Sequence, residues 1–324
     1  RSGKNYNPCD VICKMRDAMT YGGPDDCGHY YDSAEIMALG HRRLSILDLS
    51  ASGKQPMSYE NLHLVYNGEV YNFLEIRAEL ESLGYTFFSR SDTEVILKSY
   101  HRWGMNCVKK FRGMWAFAIY DSSNKKLIFC RDRIGVKPLF WYYKDGLFMF
   151  SSEMKGFHAN PDFDRQIDNI ALSLFLQYGY ITSPYSIFKC THKLEPGSFL
   201  TVFASGEITK ERYWNLSDHY HDDQNITSNR NESEIIEEAE HILRESFLLR
   251  MVSDVPVGVF LSGGIDSSLV TALIQNSISK PLKTFTIGFE QKKYNEADWA
   301  KKISHFLGTD HTEFYCTSTE AFDV

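Results

Sequence analysis

The sequence has no apolar stretch approaching the length of a membrane span, no Gly-x-x-x-x-Gly-Lys-Ser/Thr loop and no Cys-x-x-Cys pair. The first absence argues against a transmembrane chain, the second removes the commonest nucleotide loop, and the third argues against a structural zinc site. Positive charge is also scarce. Lys and Arg number 35 against 42 Asp and Glu, for a net charge of -7, which disfavours a nucleic-acid partner without excluding a local basic patch. Cysteine is thinly scattered, at 9, 13, 27, 107, 130, 190 and 316, as befits idle thiols in a reducing cytoplasm. The polar start, Arg1 to Asn7, is no signal peptide. Because Arg1 is not a start residue and the last element, from about Thr319, stops at Val324, a fragment trimmed at both ends is expected.

What is present suits a soluble protein of two domains: 324 residues, 43% hydrophobic and 24% charged. The chain is organised around the stretch Val259 to Ser268. The apolar run Val257 to Leu261 reads as a fully buried strand. It meets Ser262-Gly263-Gly264-Ile265-Asp266-Ser267-Ser268, where two glycines allow a sharp turn close to an anion and the serines add donors. Leu269 with Leu273 and Val270 with Ile274 then mark a helix. An anion at its N-terminus is favoured by free N–H groups and the helix dipole. An acidic residue in such a loop fits a metal ion accompanying phosphate, so Asp266 suggests Mg²⁺ with ATP. The plainer alternative is a strand-to-helix turn with a Ser/Asp cap.

Upstream, Cys9 to Met19 reads as a helix with Val11, Met15 and Met19 on one face. A strand is expected over Ile36 to Asp48 and another over Leu62 to Tyr66, then helices carrying Phe73, Ile76, Leu80 and Leu83, and Val95, Leu97, Tyr100 and Trp103. Ser91 with Glu94 fits a capping box. Strands at Met114 to Asp121, Lys126 to Asp132, Leu139 to Tyr143 and Leu147 to Ser151 follow. Short helices are expected near Ser152 to Phe157 and Asn169 to Gln177, and a last hairpin at Ser198 to Phe203 and Ile208 to Tyr213. This is a layered α+β domain over residues 1–215. Residues 216–232 form a polar linker. From 233 to 324 a long amphipathic helix leads into strand, helix, strand (Lys283 to Phe289), helix (Trp299, Ile303, Phe306 and Leu307 on one face) and strand (His311 to Cys316). That order defines an α/β parallel sheet with its ligand at the strands' carboxyl ends.

The loop Ser262 to Ser268 resembles the pyrophosphate loop of ATP pyrophosphatases. Together with Gly23-Pro24-Asp25, Gly40 to Asp48, Gln55-Pro56, Tyr66 to Asn72, Ser91 to Glu94, Arg131-Asp132, Gly135 to Leu139, Ser152 to Lys155 and Ser253 to Pro256, it resembles the glutamine-hydrolysing asparagine synthetases, in the family's order across nearly the whole chain. The resemblance implies an Ntn-hydrolase-type four-layer αββα glutaminase domain and a truncated PP-loop synthetase domain. It implies an oxyanion hole at Asn67 and the Gly68 N–H, a site for glutamine's α-carboxylate at Arg43, and sites for its α-ammonium at Asp92 and Glu69. Each has a plain alternative: Arg43 as a surface charge, Asn67-Gly68 as a hairpin turn, Asp92 as a helix cap. In the second domain, Leu261 and Ile287 match positions whose backbone receives adenine. ATP would activate aspartate as an acyl-adenylate that ammonia then displaces, and a homodimer is the family's habit. Two departures stand out. The nucleophilic cysteine is absent, Cys9 and Cys13 being no substitutes, and Gly22 replaces an arginine, so this chain is not expected to hydrolyse glutamine. Competing readings are amidation of another carboxylate, such as a sugar acid, closure of a β-lactam ring, and a non-catalytic nucleotide-binding relative. A tRNA-modifying pyrophosphatase is disfavoured by the acidic charge.

Overall fold

A computed structural model describes residues 7–34, 37–220, 230–291, 293 and 295–317. The chain divides into two compact units, Arg1–Asp222 and Asp223–Val324. In the first, helix α1 (Pro8–Asp17) starts where the Asn7 side chain accepts the Cys9 amide and Pro8 presets the first turn. It lies on the antiparallel pair β1 (Asp26–Asp32) and β2 (Met37–Arg43). β2 stops at Arg43 rather than Asp48. The Arg43 guanidinium turns back to bond the carbonyls of Leu47, Asp48 and Ser50, which coils that segment into a loop.

Strands β3 (Met57–Tyr59) and β4 (Leu62–Val70) form a hairpin. β4 continues past Tyr66 and takes in Asn67 and Gly68, so these residues are not a hairpin turn. Its partner β5 (Gly113–Asp121) pairs along the whole length, with Asn67 opposite Ala116 and Gly68 opposite Trp115. Helices α2 (Phe73–Ser82) and α3 (Asp92–Trp103) cover one face of this pair, burying Ile76, Leu80, Val95, Ile96 and Leu97. Ser91 caps α3 by accepting the Thr93 amide. The expected reciprocal half of a capping box does not form, because Glu94 spends its carboxylate on the Phe88 and Ser89 amides and on Lys98.

The unit continues through β6 (Lys126–Arg131), β7 (Phe140–Lys144), β8 (Leu147–Ser151), α4 (Met154–His158), α5 (Asn169–Tyr178), β9 (Thr191–Lys193), β10 (Ser198–Phe203), β11 (Ile208–Arg212) and α6 (Leu216–Tyr220). A six-stranded antiparallel sheet, β11-β10-β6-β5-β4-β3, faces a three-stranded sheet, β8-β7-β9. Between them Leu39, Val65, Ala116, Phe129 and Leu200 pack against Leu139, Trp141 and Leu194, each large side chain contributing about 1.5–3 kcal/mol. On the outer side of the smaller sheet, Met15 of α1 and Phe157 of α4 pack on Tyr142 and Met149. The result is four layers, αββα. Of the stretch expected as a linker, 216–220 forms α6 and 221–229 lies outside the described residues.

The second unit runs α7 (Glu232–Leu249), β12 (Gly258–Phe260), α8 (Ile265–Gln275), β13 (Lys283–Phe289), α9 (Ala297–Leu307) and β14 (Asp310–Cys316), with the strands parallel in the order β12-β13-β14. Successive crossovers of one hand between adjacent strands place α8 and α9 on the same face. β13 accordingly alternates, with Thr284 and Thr286 buried and Phe285, Ile287 and Phe289 facing outward. This corrects the expectation of a fully buried strand over Val257 to Leu261, since Phe260 of β12 is 75% exposed. It also corrects the face of α9, which turns Ala297, Ala300 and Ser304 inward and leaves Trp299 and Phe306 outside. Small side chains let the helix sit close to the sheet. The element expected near Thr319 lies outside the described residues.

Candidate functional site

Strand β2, strand β4 and the start of α3 converge on a cavity of about 1650 Å³ in the first unit, and its wall includes Arg43, Asn67, Gly68, Glu69 and Asp92. All five residues expected to hold glutamine therefore meet there. Arg43 is buried, with Nη1 donating to Ser50 and Nη2 to Leu47 and Asp48. Those carbonyls fix the guanidinium while its Nε–H and one Nη1–H stay available to a ligand. It is thus no loose surface charge.

Gly68 permits a backbone approach that no other residue could. A Cβ there would lie 2.2 Å from the Met114 carbonyl oxygen and 2.8 Å from the Trp115 Cα. The side-chain amide of Asn67, beside it, bonds to no described residue, so its N–H groups are available to an oxyanion. Asp92 occupies the first turn of α3, yet it does not cap that helix. Its Oδ2 accepts the Tyr66 hydroxyl at 2.9 Å and the Val70 amide at 3.0 Å. Burial pushes the Asp92 carboxyl above its ordinary range, against the pull of those donors. An arriving ammonium would favour the charged form.

Sequence reasoning gave no role to three residues that shape this wall. Tyr66 holds Asp92, and burial beside that carboxylate raises its own hydroxyl well above the usual value. Gln55 ties the layers together, its Oε1 accepting the Tyr66 amide and its Nε2 donating to Thr93. His41 lines the cavity two residues before Arg43 on the same strand face; strand alternation alone could have flagged it. Gly22, where the family pattern has arginine, lines the same cavity with the Glu153 carboxylate against it.

In the second unit the loop Ser262 to Ser268 joins β12 to α8. Gly263, at φ +81°, lies so close to the first turn of α9 that a Cβ would sit 2.8 Å from the Trp299 Cβ. Gly264 is the N-cap and provides no side chain, so the first-turn amides of Ile265, Asp266 and Ser267 are left for an anion. The hydroxyls order the loop, Ser262 bonding Ser267 at 3.0 Å and Ser268 donating to the Gly264 carbonyl at 2.6 Å. Leu261 is buried and its amide donates to Phe285, whereas Ile287 lies half exposed on the sheet's open face. Asp266 is exposed on the first turn of α8, and no group of three or more His, Cys, Asp or Glu gathers to hold a metal among the described residues.

A four-layer sandwich with such a cavity, joined to a parallel-sheet unit with an uncapped phosphate-type loop, defines a class: glutamine amidotransferases coupled to a PP-loop unit. Residues 2–214 match the model of the glutamine amidotransferase domain and residues 238–324 that of asparagine synthase. The chain is 41% identical to putative asparagine synthetase (glutamine-hydrolyzing) 2 of Methanocaldococcus jannaschii, covering 94% of this chain and 62% of the relative. Against asparagine synthetase (glutamine-hydrolyzing) 1 of Bacillus subtilis the identity is 36%, over 93% and 46%. It is also 31% identical to amidase chry2 of Gibberella zeae, over 91% and 45%. The chain thus spans roughly half to three-fifths of these relatives' length, and it belongs to the glutamine-hydrolysing asparagine synthetase family.

Proposed function

We propose that the chain is part of an enzyme that makes asparagine from aspartate through an acyl-adenylate, using ATP and Mg²⁺ and taking its nitrogen from glutamine. The observation that carries this reading is the convergence of Arg43, Asn67, Gly68, Glu69 and Asp92 on one cavity. Arg43 takes the α-carboxylate of glutamine, Asp92 and Glu69 take the α-ammonium, and Asn67 with the Gly68 N–H faces the oxygen on which negative charge develops. Cys9 and Cys13 lie along α1, so neither is the attacking thiol. In the second unit the first-turn amides of α8 hold the pyrophosphate portion of ATP. Asp266, the one acidic side chain of the loop, would hold Mg²⁺ there, and the ion would supply neutralisation of phosphate charge. Seven free cysteines suit a reducing cytoplasm, and no helix among the described residues is long and apolar enough to cross a membrane. We place the enzyme there as a homodimer.

The likeness to a protein named amidase chry2 favours one second reading, amidation of a carboxylate other than aspartate. The product of the complete reading frame, given ATP, Mg²⁺ and aspartate with glutamine or ammonium, separates the two. Asparagine and AMP with either donor support the first. Glutamine hydrolysis without asparagine would sink it in favour of another acceptor.

A further inference from the structure

Strand β2 presents Leu39, His41 and Arg43 on one face, at the period of two. Leu39 packs with Val65 and Ala116 in the core between the sheets. By the same alternation Val65, Asn67 and Glu69 share one face of β4. His41 therefore stands where the apolar core gives way to the polar cavity, between the Leu39 contact and Arg43, on a strand that packs near β4. It lines the cavity together with Asn67, Gly68 and Asp92. Neither of its ring nitrogens bonds to a described residue, although the ring is half-buried. Packing around the ring, and then the charge of Arg43, push His41 down to about 4 against the opposing pull of Asp26. The imidazole is consequently neutral at physiological pH and carries one donor and one acceptor.

We propose that His41 is a specificity residue of the glutamine site, its acceptor nitrogen taking an N–H of the substrate carboxamide and so separating glutamine from glutamate. The inference rests on the reading of this cavity as a glutamine site. A carboxamide brings two N–H donors, one for the imidazole, while its oxygen turns toward Asn67 and Gly68. The side-chain carboxylate of glutamate brings only acceptors, so it meets the ring's lone pair unless the imidazole turns over or changes tautomer, a rearrangement that glutamine does not ask of it. A site built around a substrate N–H rejects the analogue lacking it, because its own polar group is then left unpaired.

The test is calorimetric titration of the whole chain with L-glutamine and with L-glutamate, for the wild type, His41→Phe and His41→Asn. Glutamine affinity should fall about 3- to 10-fold in His41→Phe, with glutamate affinity unchanged or improved, and His41→Asn, which returns an acceptor, should recover part of the preference. An unchanged glutamine-to-glutamate ratio in His41→Phe overturns the proposal and leaves the glutamine site standing. Wild type binding neither ligand overturns the site, and the proposal with it. His41→Leu supplies the same comparison if the phenylalanine variant does not fold.

Discussion

Replacing Gly68 with alanine tests how tightly β4 is held against β5 and what that closeness is for. The added Cβ would lie 2.2 Å from the Met114 carbonyl oxygen, 2.8 Å from the Trp115 Cα and 2.8 Å from the Tyr66 ring. Two of those three atoms are main chain, so no rotamer change relieves the contact. β4 must move away from its partner by about an ångström to reach ordinary van der Waals separation. Overpacking of this kind costs about 1–3 kcal/mol, and the upper part of that range is expected because backbone must yield. The displaced residues are Asn67 and Glu69, both on the cavity wall, and a shift of that size in a preorganised site costs on the order of 10²-fold. Urea unfolding monitored by tryptophan fluorescence gives the stability change, and titration with glutamine gives the binding change. A Gly68→Ala chain as stable as wild type to within about 0.5 kcal/mol, with glutamine binding intact, would refute the close approach and its purpose together.

Gly263→Ala should destabilise the second unit by about 1–2 kcal/mol through its positive φ and weaken Mg·ATP binding at least as much; equal melting and equal ATP affinity would contradict the loop geometry. Lys98, whose ammonium bonds the buried Glu94 at 4% and 0% exposure, should cost about 3 kcal/mol when changed to methionine, since Glu94 is then left buried without its cation; chemical denaturation measures it. His41 gives the unfolded chain a proton site near pH 6.5 that the folded chain does not fill until about 4. Stability should therefore fall as pH drops through that window, by at most about 3 kcal/mol more in wild type than in His41→Asn. Parallel pH profiles for the two proteins would refute the neutral-imidazole assignment.

Much of the fold could be read from alternation and helical spacing. The strands from β5 to β8, the pair β10–β11, helices α2, α3 and α5 and the β-α-β-α-β order of the second unit follow expectation within a few residues. The misses share a cause, which is that neighbours rather than local sequence decide. Asn67-Gly68 looks like a turn until β5 pairs through it. β1 and β3 are defined by hairpin pairing with the strand that follows each of them, β2 and β4, across short turns. Glu94 abandons its cap because Lys98 and the Phe88 and Ser89 amides compete for it. On α9 the larger apolar side chains suggest the buried face, but close approach to the sheet selects Ala297, Ala300 and Ser304. Motif order singled out Arg43, Asn67 and Asp92, which line one cavity. It gave no sign that Tyr66 and Gln55 tie the end of β4 to α3, because those links run through side chains far apart in sequence.

The central claim, that the cavity is a glutamine site with Arg43 and Asp92 at its charged end, is tested most directly by calorimetric titration of this chain with L-glutamine, alongside Arg43→Leu and Asp92→Asn. Saturable binding by wild type that weakens at least about 10-fold in each variant, as loss of a charge-assisted contact requires, is the predicted result. No binding by wild type, or binding that both substitutions leave unchanged, would contradict the account.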